Sequence, residues 1–137
     1  MRVAKSVAAV AVVMLALDLL WLGVVAKPIY DEALGALRAK ETVALAAALF
    51  YLQYVLVVAL FASLPSATVR QAAKRGAGVG WLAYATYELT NWAVIEGWPA
   101  SIVAMDVIWG VILTSLVAAA GRLAAGAPPE APGSPSA

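Results

Sequence analysis

The chain is 137 residues long, 64% apolar and only 12% charged, where a soluble domain averages roughly 45–50% apolar and 25% charged. One domain of this length cannot hide that excess from water, so it has to face lipid, and a net charge of +1 on scattered basic residues excludes a nucleic-acid partner. With neither Cys nor His, disulfides, thiolate chemistry and imidazole metal ligation are excluded; no cofactor is called for, and any metal site would have to be all-oxygen, though none is expected.

Taken in order, stretches almost free of charge place transmembrane spans at residues 6–26, 42–64, 76–95 and 100–121, each near the ~20 residues that cross a hydrocarbon core. The expected fold is all-α, an integral membrane four-helix bundle over residues 1–126. The first span follows Arg2 and Lys5, and a signal peptide cut near Val24 and Ala26 is its alternative. Asp18 and Trp21 late in the run, and Pro28 just beyond the cut, weigh against that. Between the first two spans, Ile29, Ala33, Leu34 and Leu37 share one helical face and leave out Asp31 and Glu32. This suits a short helix on the membrane surface, or else a polar loop.

The second span is uncharged. Glu96-Gly97-Trp98-Pro99 joins the third to the fourth as a tight hairpin, with Pro99 suited to a helix start. The Pro, Gly, Ser and Ala of residues 127–137 read as a disordered tail. Arg2, Lys5, Arg70, Lys74, Arg75 and Arg122 fall on one side and Lys27, Arg38 and Lys40 on the other, which puts both termini in the cytoplasm.

Each of the other three spans carries one acid: Asp18, Glu88 and Asp106. An ionisable group at the centre of a membrane helix costs about 2.5–3.5 kcal/mol on insertion scales. At ~1.5 Å per residue all three lie roughly 9–12 Å below the outer boundary, in one layer. No Lys or Arg lies inside a span, so the acids must be protonated, hydrated or bound to a cation, and they would titrate as a coupled unit. Trp21 follows Asp18 and Trp109 follows Asp106 by three residues, on the same helix faces. Tyr84, Tyr87, Glu88 and Asn91 form one polar stripe that must turn away from lipid. These eight residues are the candidate binding and proton-titrating cluster. Tyr51, Gln53 and Tyr54 are secondary candidates and, with Thr114, are read first as packing groups. Trp98 and Trp81 suit interface anchors, and Gly76 with Gly80 has the spacing of close helix packing.

Leu17-Asp18-Leu19-Leu20-Trp21-Leu22-Gly23 leads to Lys27-Pro28-Ile29-Tyr30. Phe50-Tyr51, Tyr84-Ala85-Thr86-Tyr87-Glu88-Leu89-Thr90-Asn91, Trp98-Pro99 and Asp106-Val107-Ile108-Trp109-Gly110 follow. Together they resemble the bacterial predicted membrane proteins grouped as domain of unknown function 2177, from about residue 4 to residue 121. Where that family's pattern more often has Asp, this chain has Glu88, which keeps the carboxyl and lengthens its reach. The resemblance implies a bacterial four-helix protein of the inner membrane and no established activity.

Three functions compete. The first is a transporter or ligand-binding protein whose carboxyls hold a proton, a cation or a small hydrophobic or cationic ligand among aromatic rings; by analogy with small four-helix exporters it would work as a homodimer. The second is a membrane-embedded enzyme or accessory subunit of lipid metabolism using one carboxyl as acid and another as base, which the lack of His, Cys and a recognisable nucleophile disfavours. The third is a structural subunit in which the polar layer specifies packing.

Overall fold

A computed structural model describes residues 1–37, 39 and 41–126 of the chain. The tail at 127–137 and the basic residues Arg38 and Lys40 lie outside the described residues. Among the described residues the architecture is all-α, with five α-helices: α1 (Arg2–Leu20), α2 (Lys27–Leu34), α3 (Ala44–Val57), α4 (Val69–Val94) and α5 (Ala100–Ala125). Two of them continue into wide π-helical turns, α1 through Trp21–Val25 and α3 through Val58–Ser63. In these turns Ala26 N–H reaches Trp21 O at 2.7 Å and Leu64 N–H reaches Ala59 O at 2.9 Å.

Among the described residues three stretches are long and apolar enough to cross a membrane: Arg2–Val25, Ala44–Ser63 and Ala100–Ala125. α4 has the length, at 26 residues, but its glycines, tyrosines, threonines, Glu88 and Asn91 dilute its hydropathy. It also begins at Val69, well before the expected third span at 76. The cause is local chemistry: Thr68 Oγ1 accepts from Gln71 N–H at 3.1 Å, and Gln71 Oε1 accepts from Ala67 N–H at 2.7 Å. Together they satisfy amide donors that a helix start would otherwise leave bare. Of the two expectations for the first connection, a short helix or a polar loop, the helix forms, as α2, with Pro28 in its first turn, Ile29 exposed and Leu34 half-buried.

The helices close into a ring: α1 packs on α5, α5 on α4, and α3 on α1, while residues 58–63 pack on α4 and α5. α1 turns one stripe inward, Ser6, Val10, Met14 and Asp18, each four residues from the last, as one helical face requires. The core joins Val10 and Met14 to Tyr54, Val58, Leu113 and Val117. Gly76 and Gly80 set α4 directly on α5: a Cβ on Gly80 would strike the Gly110 carbonyl oxygen, and one on Gly76 that of Thr114. Small residues are what lets two helix backbones approach this closely. Between α4 and α5 the chain reverses at Gly97, whose φ of 78° is left-handed and suits a residue without Cβ.

Candidate functional site

Over Ala44–Val57 the backbone of α3 approaches α1 but neither α4 nor α5, among the described residues; the backbone of the π turn that follows packs on those two, and Tyr54 of α3 reaches them through its side chain. The result is a cleft of about 830 Å³ at the end of the bundle where α1 and α4 finish and α5 begins. α1 and its π turn contribute Asp18, Leu19, Trp21 and Leu22, and α2 contributes Tyr30 and Leu34. α3 adds Ala47, Phe50, Tyr51, Gln53 and Tyr54, and α4 adds Ala83, Tyr84, Tyr87 and Glu88. Thr42, Trp98, Ile102, Asp106 and Trp109 complete the wall.

All three acids therefore open onto one space while remaining nearly closed to the exterior: Asp18 is 3% exposed, Glu88 0% and Asp106 7%. They do not form a single triad. The carboxyls of Glu88 and Asp106 face each other, whereas Asp18 has Trp109 and Tyr51 as its polar neighbours. No group of three carboxylates among the described residues is close enough to hold a metal ion. Tyr84 sits within electrostatic range of both Asp18 and Asp106. The indoles of Trp21 and Trp109 stack with centroids 4.3 Å apart and planes 7° from parallel, which ties the ends of the two Asp-x-x-Trp repeats together across α1 and α5.

Two partners of the acids come from outside the spans. Tyr30 OH donates to Asp106 Oδ1. Burial first, and then this hydrogen bond, raises the Tyr30 phenol above its ordinary value, so it remains a protonated donor at physiological pH. Trp98 Nε1–H donates to Glu88 Oε2 at 3.0 Å. Sequence reasoning read Trp98 as an interface anchor and did not single out Tyr30; the hairpin at Gly97 carries the first back over Glu88, and α2 carries the second over Asp106.

Of the eight primary candidates, the structure brings Asp18, Glu88, Asp106, Trp21, Trp109, Tyr84 and Tyr87 to the cleft, together with the secondary Tyr51, Gln53 and Tyr54. It does not bring Asn91, which lies beside Tyr87 outside the wall. The polar stripe of α4 is also not uniformly inward: Tyr87 is 57% exposed and Glu88 fully buried. Tyr54 combines the two expectations, lining the cleft while its hydroxyl shares a 2.7 Å hydrogen bond with Thr114 Oγ1.

Three buried polar atoms of the wall make no hydrogen bond of good geometry among the described residues: Glu88 Oε1, whose carboxyl faces Asp106, and the indole N–H groups of Trp21 and Trp109, which lie near Tyr30 and Asp18. Most buried polar groups in folded proteins are satisfied, and bare ones on the wall of a cleft are positioned to take a ligand's donors and acceptors.

Residues 3–123 match the model of the predicted membrane protein family DUF2177, and the chain belongs to that family. Neither the curated proteins nor the solved structures contain a match to it.

Proposed function

We propose that this member of the DUF2177 family is a ligand-binding membrane protein or small transporter that engages its ligand at Asp18, Glu88 and Asp106 and exchanges protons with it. The observation that carries the reading is the single cleft in which three buried carboxyls share a wall with stacked indoles and five tyrosines. Carboxyls placed inside a membrane protein are costly and are found where protons, ions or ligands pass. A polar layer serving packing alone would be filled rather than hollow.

In the full reading α4 is a fourth crossing, supplied with apolar neighbours by α5, and the domain spans residues 1–126. Both termini face the cytoplasm of a bacterial inner membrane, since Arg2, Lys5, Arg70, Lys74 and Arg75 cluster at one end. The chain has no Cys, so single cysteines at Ala67 and Glu96 report the topology cleanly: an impermeant maleimide added outside intact cells should label the second and spare the first.

The binding reading is tested by infrared spectroscopy of the reconstituted protein. Carboxyl C=O bands should change on adding a long-chain amine, and Asp18→Asn with Asp106→Asn should remove both the change and the accompanying proton exchange. Retention of proton-coupled binding in that double variant sinks the proposal. The facing carboxyls of Glu88 and Asp106 favour a second reading, an acid and base pair acting on a lipid. An unchanged lipid profile on deletion of the protein argues against it.

A further inference from the structure

The cleft is far larger than a proton or a bare ion requires. A water molecule takes up about 30 Å³ of liquid, so about 830 Å³ accommodates a head group and part of a chain. Its wall matches such a molecule in two parts. Its lining combines the carboxyls, the indoles and the Tyr84 hydroxyl with the apolar side chains of Leu19, Leu22 and Phe50.

The way in follows from the ring. α1–α5 and α4–α5 are closed contacts, α1 and α3 touch, and residues 58–63 seal α3 to α4 and α5 at the far end of the bundle. Above that seal the backbones of α3 and α4 stay apart among the described residues, bridged by the edge-to-face contact of Tyr54 with Tyr84, and α2, packed on α5, sends Tyr30 and Leu34 into the wall. The gap is therefore lateral. Gln53 on α3 and Tyr87 on α4 line the cleft and are both exposed, as residues at a rim must be. Leu49 and Leu52, exposed beside Gln53, make the surroundings of that rim a lipid-facing surface.

The head group follows from the unsatisfied atoms. Glu88 Oε1 is buried without a donor, and the described wall has three acids and no Lys or Arg. An ammonium supplies up to three donors, is drawn to carboxylates, and is favoured over the faces of Tyr and Trp. A phosphate would instead meet like charge. The bare indole N–H groups of Trp21 and Trp109 are donors only and add a place for one acceptor, such as a hydroxyl beside the nitrogen.

We infer that the cleft takes a long-chain amine or amino alcohol from the bilayer, entering sideways between α3 and α4, with its nitrogen at Glu88 and Asp106 and its chain between Phe50 and Tyr87. This rests on the ligand-binding reading above and specifies its substrate class and its route.

The test uses the full chain in phosphatidylcholine nanodiscs with hexadecylamine carrying a diazirine at mid-chain, and cross-links mapped by mass spectrometry. Labelling should concentrate on Phe50, Gln53 and Tyr87. Excess plain hexadecylamine should lower it about tenfold or more, and the same excess of hexadecyl phosphate or methylamine should not. Glu88→Gln should weaken that competition. Gln53→Trp, which narrows the gap without touching an acid, should slow labelling even if the Glu88 variant misfolds. If methylamine competes as well as hexadecylamine and Glu88→Gln abolishes both, the carboxyl site stands and the lateral amphiphile is overturned. Competition by hexadecyl phosphate equal to that of the amine overturns the head-group assignment. Label spread evenly over Leu82, Leu89 and Leu123, indifferent to competitor and to the acids, defeats the ligand-binding reading itself.

Discussion

The two ends of the bundle solve opposite problems with the same helices. At the end where α1 begins and α5 finishes, backbone is set on backbone and most polar groups are paired, Arg2 Nη2 and Ser6 Oγ excepted. Gly121 leaves room for Val10 and Ser63, Ser63 Oγ donates to Ala118 O at 3.0 Å, and Arg122 engages three carbonyls. Its Nε donates to Ser66 O at 2.6 Å, its Nη2 to Ala67 O at 2.7 Å, and its Nη1 to Gly126 O. At the other end α3 stands off, three carboxyls are buried, and three wall atoms lack partners. The difference teaches where stability is placed: one end holds the helices together and thereby allows the other to keep a hollow polar site.

The largest effect should come from breaking the contact of α4 with α5 at its tightest point. Gly80→Val places a Cβ against the Gly110 carbonyl and Thr114 Oγ1, and neither backbone can yield without separating α4 from α5. Overpacking of this kind costs roughly 1–3 kcal/mol and occasionally more. Thermal unfolding in detergent should show it, while Gly78→Ala on the same helix, with nothing within 4 Å of its added Cβ, should hold or raise the midpoint. Equal losses in the two would mean that close helix approach is not what stabilises the pair.

Arg122→Ala should rank next. The guanidinium sits where the carbonyls at the end of α5 and of the α3–α4 connection converge, a position that favours a cation, and its removal strips partners from Ser66 and Ala67. Leaving buried acceptors bare costs about 1–3 kcal/mol. Proteolysis within residues 64–68 should accelerate in the variant, and a cleavage rate unchanged from the parent would show that the loop is held by something else. Thr114→Val, in the middle of the bundle, should cost less, about 0.6–1.7 kcal/mol, the scale of single interhelical hydrogen bonds in membranes. The Tyr54→Phe variant should match it, because either change breaks the same bond.

Much of this contrast was legible in the residues. Asp18 continues the four-residue spacing of Ser6, Val10 and Met14, so its inward direction follows from periodicity alone, and the Gly76 and Gly80 spacing announced a close contact. The start of α4 was legible too, in the Thr68 and Gln71 cap, but a reading by hydropathy passes over it because the cap lies among charges. Tyr30 and Trp98 were hidden for a different reason. Their partners are set by where α2 and the Gly97 hairpin carry them, which no helical period encodes. Asn91 shows the converse error: it completes the α4 stripe on a wheel, yet the wall ends a turn earlier. The standing-off of α3 depends on the π turn at 58–63, and the apolar run there carries no mark of it.

The smallest effect on stability should accompany the largest on binding. Glu88→Gln retains an oxygen to accept from Trp98 Nε1–H and replaces the unpartnered Oε1 with a group that can donate to Asp106. Hydrogen bonding at the cleft is therefore conserved or improved, and the unfolding free energy should move by less than about 1 kcal/mol, because a near-isosteric change that leaves no buried group newly unpaired avoids the causes of large losses. Ligand engagement should nevertheless fall, because the variant has lost a group that can carry negative charge. A Glu88→Gln variant that unfolds as readily as Arg122→Ala would erase the contrast between the two ends. Glu88 would then belong to the packing of α4 on α5, and the cleft would be a flaw in a structural layer rather than a site that the closed end exists to support.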